Sequence, residues 1–401
     1  MEARGSVLML VENMSVPTDR RVWPECQALR EAGYDVVVVC PRGQDVDAAP
    51  LEVVEGIEIH RFPSQQGTGK LGFVREYLSA FYHVLRLARR LGRKHTFAVV
   101  HAANPPDFLL LAAMPLKRRG ATFVFDHHDL FPELYLTRFS GRKNLVYRLA
   151  LVLERISFHL ADVVLSTNES YRRVAIERGG KRPEEVFVVR NAPDAKCFRP
   201  GNPDPELRRG KTHLLAYVGV MAPQDGVDGA LRALRLLRAS RDDWHAIFAG
   251  DGAAYDDVRR LATELGLDDF VEFTGFLHDD ASIARILSTA DVCLAPEPKD
   301  PLNDVSTLIK IAEYMAAGRP IVSFDLRESR ITAADAAAYA EPNDEASFAA
   351  QIEELLDDPD RRRRMGELGR ERVEQLYSWD HSKEALLAVY EQAVAGDGRT
   401  R

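Results

Sequence analysis

Short β-branched segments alternate with amphipathic helical segments along most of this chain, and that alternation constrains the fold more than any other feature. It is typical of β-α-β units, which build a parallel sheet covered by helices. The first run of predicted strands comprises Val7–Val11, Val36–Cys40, Ile57–Phe62, Ala98–His101, Thr122–Phe125, Val163–Ser166 and Val186–Val189.

A second run of the same pattern follows a break. Four prolines and no regular periodicity in Asn191–Arg209 predict a linker. Beyond it we predict helices near 226–238, 254–265, 280–290 and 308–317, and a helical chain after Leu326 whose last helix, to about Ala395, packs back on the first domain. The predicted strands of this run are Leu214–Val218, His245–Ala249, Val271–Phe273, Val292–Ala295 and Ile321–Phe324.

The length of 401 residues, 46% of them hydrophobic, agrees with two α/β domains. We place the domains at 1–200 and 201–378, with 379–401 as the returning helix. Because α/β sheets bind ligands at the carboxyl ends of their strands, we expect the functional site in a cleft between the two domains.

Several classes of protein are excluded or disfavoured by composition. The longest apolar run, Phe108–Leu116, is too short to span a bilayer, and the N-terminal residues do not resemble a secretory signal, so we expect an intracellular protein. The four cysteines, which form no CxxC pair, predict neither a zinc site nor disulfides and are expected to be buried apolar residues. They are Cys26, Cys40, Cys197 and Cys293.

Charge is distributed unevenly. Residues 1–200 hold 29 Lys and Arg against 23 Asp and Glu, whereas the remainder holds 24 against 38. The basic clusters of the first half suit an anionic partner such as lipid head groups or a phosphorylated substrate, although each is also compatible with a solvated helix face. We expect no nucleic-acid partner. The clusters contain Arg86, Arg89, Arg90, Arg93, Lys94, Lys117, Arg118, Arg119, Arg138, Arg142 and Lys143.

Common cofactor and catalytic motifs are absent. The first strand is followed by Glu12–Pro17 rather than GxGxxG, which disfavours a dinucleotide-dependent dehydrogenase. Gly210-Lys211-Thr212 imitates the end of a P-loop but precedes a strand, and neither GxSxG nor HExxH occurs.

The most informative segment is Asp304–Val322. Ser306 or Thr307 could cap a helix whose N–H groups and dipole suit a phosphate, and Lys310 adds a positive charge one turn later. Glu313 could accept hydrogen bonds from a vicinal diol such as a ribose, or could simply be solvated. Gly318 and Pro320 have a structural explanation, the end of this helix and the start of the next strand.

This segment resembles the donor-site helix of glycosyltransferase family 4, whose members share the GT-B fold of two Rossmann-like domains. The resemblance extends over nearly the whole chain. It is carried, in order, by Asp19–Val22, Leu29–Val36, Asp126–Glu133, Ala161–Asp162, Arg190–Asp194, Tyr217–Gly219, Ala249–Gly252, Phe273–Phe276 and Asp304–Val322.

The resemblance implies transfer of a sugar from a nucleotide diphosphate sugar, held by the second domain, to an acceptor held by the first. Glu313 would bind the ribose, the Gly219 turn would approach the diphosphate, and Phe276 would neighbour the base. His128 would hydrogen-bond the donor sugar while Asp129 orients it or the acceptor, although His127 could instead face the cleft. The other donor contacts implied are Val220, Gly252, Ser306, Thr307 and Leu308.

The chain departs from the family at three positions. Many relatives carry a glutamate eight positions before Glu313, where this chain has Val305. They commonly also have two cations near the diphosphate, where Val220 and Asp225 stand here. Lys310, with the helix N-terminus, is our candidate for offsetting the negative charge of the leaving group, and completes the expected catalytic set with His128 and Asp129.

The resemblance implies a metal-independent, cofactor-free and retaining transferase of cell-surface polysaccharide, glycolipid or secondary-metabolite assembly. An epimerase or phosphorylase of the same fold is one alternative, and a pseudo-transferase that only binds a ligand or partner is another. Basic and apolar residues in Leu71–Lys94 suggest peripheral membrane contact, with a packed first-domain helix as the alternative.

Overall fold

The chain divides into two compact units. The computed structural model describes residues 4–43, 46–63, 69–138, 141–193, 198, 201–277 and 279–395. One unit is Met1–Arg190 together with Ser382–Arg401, and the other is Asn191–His381. The division therefore precedes the proline-rich segment, about ten residues before the boundary placed from the sequence.

The first unit contains a mostly parallel sheet in the strand order β3-β4-β2-β1-β5-β6-β7-β8. Only the β3–β4 pair is antiparallel among these pairings. Its elements are β1 (Ser6–Leu10), α1 (Val22–Glu31), β2 (Asp35–Pro41), β3 (Leu51–Val54), β4 (Ile57–Phe62), α2 (Gly69–Leu91), β5 (Phe97–Ala103), α3 (Leu110–Lys117), β6 (Thr122–His127), α4 (Phe131–Arg138), α5 (Leu145–Leu160), β7 (Val163–Ser166), α6 (Glu169–Glu177) and β8 (Val186–Val188).

The strands of this sheet match the predicted ones, with one addition. Strand β3 was missed because it is short and lies at the sheet edge, where Leu51 and Val53 are exposed and give no burial pattern. The core lies between the sheet and its helices, and Leu8, Val100 and Phe123 are fully buried there.

The second unit has a parallel sheet in the order β11-β10-β9-β12-β13-β14. Strand β14 corrects the expectation of a wholly helical chain after Leu326. The elements are β9 (His213–Val218), α7 (Val227–Ser240), β10 (Trp244–Ala249), α8 (Tyr255–Glu264), β11 (Val271–Gly275), α9 (Asp280–Thr289), β12 (Val292–Ala295), α10 (Ile309–Ala316), β13 (Ile321–Phe324), α11 (Arg327–Ala333), β14 (Ala337–Ala340), α12 (Glu345–Asp357) and α13 (Pro359–Arg372).

Strand order reverses direction once in each sheet, and ligands of open α/β sheets bind at such points. In the first unit the reversal lies between β1 and β5, and in the second between β9 and β12. A ligand site is therefore expected in the segments that follow these strands.

The final helix, α14 (Trp379–Ala395), belongs from Ser382 onward to the first unit. The hydroxyl of Tyr390 lies 2.7 Å from Nδ1 of His101, and its ring packs edge-on against Tyr34 at 5.8 Å. This helix thus completes the core of the first unit.

Within the described residues, no helix has both the length and the apolar character needed to cross a membrane. Cys26, Cys40 and Cys293 are buried, as expected, and Cys197 lies outside the described residues.

Candidate functional site

The loop after β9 comes so close to α10 that a side chain at Gly219 would displace Lys310 or the loop. Its φ is +153°, and a Cβ placed there would lie 2.9 Å from both Cε and Nζ of Lys310. The Gly219 amide donates to the carbonyl of Ala249, which joins this loop to the end of β10 at 3.0 Å. Because glycine has no Cβ, the loop backbone can approach the end of the Lys310 side chain closely.

The loop after β10 imposes a second close approach. Gly252 has a φ of +157°, and a Cβ there would lie 2.6 Å from the carbonyl oxygen of Met221. The Met221 amide in turn donates to Asp251 at 3.0 Å. The two loops therefore form one tightly packed backbone surface at the carboxyl end of the sheet.

The side chain of Lys310 is buried beside these two loops. Its Nζ donates to the hydroxyl of Tyr217 at 2.9 Å, lies 4.1 Å above the ring of that tyrosine, and forms an ion pair with Glu297. Burial alone would lower the pKa of Lys310, but Glu297, Tyr217 and Asp225 together outweigh it, and the pKa lies well above its usual value. Lys310 is therefore charged and already engaged by a carboxylate.

Glu297 is a site residue that the sequence analysis missed. It is almost fully buried, lies two residues after the end of β12, and pairs with Lys310. The available signal was a carboxylate between Pro296 and Pro298 at the end of a central strand. Glu297 therefore compensates the charge of Lys310, and the sequence did not predict this ion pair.

Asp225 adds a third charged group. The pKa of its carboxyl is raised to about 6, chiefly by burial and also by the charge of Glu297, against the opposing charge of Lys310. One of its oxygens accepts a hydrogen bond from the Ala222 amide at 3.0 Å. The group of Glu297, Lys310 and Asp225 thus has a net charge of −1 when Asp225 is ionised and is neutral when Asp225 is protonated.

The start of α10 differs from the prediction. The helix begins at Ile309, and its N-cap residue Leu308 forms no side-chain capping hydrogen bond. The Ser306 hydroxyl donates to the carbonyl of Leu302 at the preceding 3₁₀ turn, Asn303–Val305. Leu308, and not Ser306 or Thr307 as predicted, occupies the N-cap position.

Two carboxylates flank this helix start. Glu313 is buried, in the fifth position of α10 and one turn beyond Lys310. Asp304, the acidic residue nearest to the missing family glutamate, accepts the backbone N–H of Arg327 at 3.0 Å and lies 3.4 Å from Lys299. Asp304 therefore anchors the start of α11.

The remaining donor residues predicted from sequence lie at the same end of the second sheet. Phe276 follows β11 and is 58% exposed. Val220 is also exposed, and its carbonyl accepts the hydroxyl hydrogen of Tyr217 at 2.6 Å. Both side chains are thus available to a ligand at the carboxyl ends of β9 and β11.

In the first unit, the two adjacent histidines have different environments. His127 is fully buried, and its ring centroid lies 4.8 Å from that of Phe158 and 5.5 Å from that of Tyr171. It is a core residue, so the alternative assignment of the site to His127 loses its support. His128 is partly buried, and its amide and that of Asp129 both donate to Oδ1 of Asn104.

The orientation of His128 is set by Asp126 and, through it, by Arg21. Nδ1 of His128 lies 3.0 Å from Asp126, whose carboxylate also accepts two hydrogen bonds from the Arg21 guanidinium. Burial alone would raise the pKa of Asp126, but Arg21 and His128 hold it well below its usual range. Because an ionised carboxylate only accepts, Nδ1 of His128 must donate, which fixes the tautomer of the neutral ring.

A polar cluster extends behind this pair. Glu25, His101 and Asp126 place possible metal-ligand atoms within 4.8 Å of one another. The Arg21 guanidinium already occupies both oxygens of Asp126 and lies 3.5 Å from Glu25, so a metal ion there would sit beside a full positive charge. Burial raises the pKa of Glu25 to about 7. The cluster suits a shared proton better than a metal ion.

Comparison with known proteins identifies the family. The family model described as "Glycosyl transferase 4-like domain" matches residues 18–192, and the one described as "Glycosyl transferases group 1" matches residues 212–358. A GDP-mannose-dependent alpha-(1-6)-phosphatidylinositol dimannoside mannosyltransferase of Mycobacterium tuberculosis is 31% identical over 68% of each chain. The MMP alpha-(1->4)-mannosyltransferase of Mycolicibacterium hassiacum is 28% identical over 78% of this chain and 74% of that one.

Solved structures share the fold. Sucrose-phosphate synthase of Thermosynechococcus elongatus aligns with a TM-score of 0.80 at 18% identity, covering 98% of this chain and all of the other. HepE of Anabaena, in complex with UDP-glucose, aligns with a TM-score of 0.71 at 16% identity, covering 97% and 100%. The fold predicted from the sequence, GT-B, is confirmed.

These matches extend over both units and include the segments in which Gly219, Lys310 and His128 were found. The chain belongs to the glycosyltransferase 4-like, group 1 family, and it is a GT-B glycosyltransferase that moves a sugar from a nucleotide sugar to an acceptor.

Proposed function

We propose that the second unit binds a nucleoside diphosphate hexose on the surface formed by the loops after β9 and β10 and the start of α10. The observation that carries this is the buried Lys310, held between Tyr217 and Glu297 where Gly219 leaves room for a diphosphate to approach. Glu313, one turn further along α10, would accept the ribose hydroxyls. Val220, Gly252, Phe276 and the segment Ser306, Thr307 and Leu308 would supply the remaining donor contacts.

GDP-mannose and UDP-glucose are the first donors to test. The name of the relative at 31% identity specifies GDP-mannose, and HepE, which shares the fold, was crystallised with UDP-glucose. The acceptor would be a glycan, a glycolipid or a small molecule bound by the first unit.

Binding measured by calorimetry tests the donor assignment. We expect Glu313→Ala to weaken binding of the cognate nucleotide sugar by ~1–3 kcal/mol, the scale of hydrogen bonds to a charged group. Glu264→Ala, which removes an exposed carboxylate from α8 in the same unit, is the control and should leave binding unchanged. Equal binding by wild type and Glu313→Ala would remove Glu313 from the site.

For the chemistry, we propose that His128 hydrogen-bonds the reacting sugar and that Asp129 orients sugar or acceptor, with retention of configuration at the anomeric carbon. The ionised Asp126 supports this, since it turns the Nδ1–H of His128 inward and leaves Nε2 as the atom that faces substrate. Lys310 and its helix end would stabilise the departing diphosphate. The anomeric configuration of the product, read by NMR, tests retention.

We further propose that no metal ion takes part and that the enzyme works in polysaccharide or glycolipid assembly. Among the described residues, the group whose spacing could hold a metal ion, Glu25 with His101 and Asp126, is already engaged by the Arg21 guanidinium, and this supports metal independence. Activity in excess chelator should equal activity in added Mg²⁺, and a requirement for metal would reject this part.

Finally, we propose that the enzyme is cytoplasmic and peripheral at the inner face of the membrane. The basic surplus in residues 1–200 supports this, because the cytoplasmic leaflet carries anionic lipids. The segment first suggested for the contact is partly core: Phe81 packs against Phe108 and Leu85 against the buried cluster. The side chains of Phe73 and Tyr77 lie outside the described part of α2.

A further inference from the structure

The outward face of helix α5 is apolar, which reverses the usual pattern of a surface helix. Four side chains spaced by four, three and four residues line it, and their exposed fractions are 81%, 55%, 53% and 40% for Leu145, Leu149, Val152 and Ile156. The side chains on the opposite face are buried against the unit: Ala150, Glu154, Ser157 and Phe158.

This stripe is a continuous surface rather than a set of isolated exposed residues. At 3.6 residues per turn, the four side chains lie within one narrow sector and run along most of the 16-residue helix. Contiguous apolar surface of this kind on a water-facing helix marks an interaction site.

The exposed charged side chains of α5 and of the loop before it are all basic. Arg148 and Arg155 are exposed along one flank of the stripe, and Arg142 and Lys143 are exposed in the loop before the helix. The only carboxylate of α5, Glu154, is turned inward, where it lies 2.6 Å from Arg178. The surface thus combines apolar side chains with cations and offers no carboxylate of its own helix.

A second helix of the same unit also exposes apolar side chains. Both α2 and α5 pack against the 3₁₀ turn Asp107–Leu109, α5 through a hydrogen bond of 2.8 Å from the Ser157 hydroxyl to the Asp107 carbonyl. On α2, Leu78 and Tyr82 are exposed, and Tyr82 is an amphipathic ring of the kind found at membrane interfaces.

We propose that α5 docks the first unit on an anionic lipid bilayer, with its apolar stripe inserted among the acyl chains and its cations at the head groups. Charge complementarity selects this occupant: an anionic bilayer offers an apolar interior and negative head groups along the whole helix. The inference rests on the peripheral membrane position proposed above. It adds that α5 makes the contact and that the contact is partly apolar.

The test uses sedimentation with vesicles of phosphatidylcholine and phosphatidylglycerol in equal parts, compared with phosphatidylcholine alone. Wild type should bind the mixed vesicles, and Leu149→Asp/Val152→Asp should bind at least roughly tenfold more weakly, because two charges would enter the apolar region. Leu236→Asp/Leu368→Asp is the matched control: it changes two equally exposed leucines in the second unit and should bind like wild type.

Two further variants keep the test decisive if the aspartate variant folds poorly. Arg148→Glu/Arg155→Glu should lose binding to the mixed vesicles at low salt. Val152→Trp should show a blue-shifted emission in mixed vesicles and quenching by brominated acyl chains, whereas Leu236→Trp should show neither.

The rate of sugar transfer to a soluble acceptor should be unchanged in all of these variants, because α5 has no part in the proposed mechanism. Binding of Leu149→Asp/Val152→Asp equal to wild type would overturn the α5 inference and leave the peripheral position standing. A wild type that binds no vesicles would overturn both. A concentration-dependent dimer, abolished by the aspartates, would show that a second copy covers the stripe instead.

Discussion

Oδ2 of Asp126 is shared by two donors: Nδ1 of His128 lies 3.0 Å from it, and Nε of Arg21 lies 2.8 Å from it. The carboxylate therefore holds the imidazole through one hydrogen bond while being fixed by a guanidinium that is itself buried. This arrangement makes Asp126 a positioning residue whose charge acts on the candidate catalytic ring.

Asp126→Asn should lower the pKa of His128. Burial alone lowers this pKa, and the charge of Asp126 raises it above its usual value. Removing that charge leaves burial and Arg21, which lower the pKa, opposed by the smaller influence of Asp129. We expect the limb of the kcat profile that reports His128 to move to lower pH and kcat to fall roughly 10²-fold, with the KM for donor little changed. Asp162→Asn, an exposed residue of the same unit, is the control. An unshifted limb would show that Asp126 is only structural.

Arg21→Ala should destabilise the first unit strongly. The substitution leaves Asp126 and Glu25 buried without their cation, and breaking one side of a buried ion pair costs about 3–5 kcal/mol. Denaturant unfolding followed by circular dichroism measures this loss. The exposed neighbour Arg20 provides the comparison, since Arg20→Ala should change the free energy of unfolding by less than about 0.5 kcal/mol.

Donor affinity should depend on the ionisation of Asp225. Its pKa is about 6, so the carboxyl is protonated below that pH and carries a negative charge above it. An anionic donor should therefore bind more weakly as the pH rises through about 6, by roughly tenfold or about 1.4 kcal/mol.

Calorimetry with the intact nucleotide sugar measures this dependence, because the terminal phosphate of a free nucleoside diphosphate has a pKa near 6 and would confuse the profile. Asp225→Asn should remove the dependence and bind as tightly above pH 6 as wild type binds below it. A wild-type profile that is flat across this range would place Asp225 outside the donor site.

Gly219→Ala should impair donor binding. The new methyl group would lie 2.9 Å from Cε and Nζ of Lys310 at a backbone φ of +153°, so either the loop or the lysine must move. We expect a rise of roughly tenfold or more in the donor Kd and a loss of about 1–3 kcal/mol in stability. Gly229→Ala in α7, where a Cβ meets nothing within 4 Å, should keep donor affinity and stabilise the helix by about 0.5–1 kcal/mol. Equal effects of the two substitutions would contradict the close approach.

The sequence predicted most of the sheet because buried parallel strands are continuous β-branched runs, and Val163–Ser166, Val292–Ala295 and Ile321–Phe324 begin and end as predicted. Strand β14 was missed because Ala337–Ala340 is mostly alanine, which favours helix in isolation and is held in the sheet by pairing with β13.

The site was predicted less completely, since its chemistry depends on which side chains meet in three dimensions. Glu297 and Lys310 are 13 positions apart on different elements, and only folding brings them together. The Ser306 hydroxyl donates to the Leu302 carbonyl because of a 3₁₀ turn that the sequence did not reveal. His128 was separable from His127 only once the packing of Phe158 was known.

The return of α14 to the first unit has a consequence for synthesis on the ribosome. All eight described strands of the first unit's sheet precede Arg190, yet the Tyr390 hydroxyl can reach His101 only after the whole second unit has been translated. Until then, the buried imidazole lacks that partner, and the surface around Tyr34 lacks the aromatic ring that covers it. The unit that is translated first is therefore completed last, and a nascent chain that stops short of α14 would present an open core to chaperones and proteases.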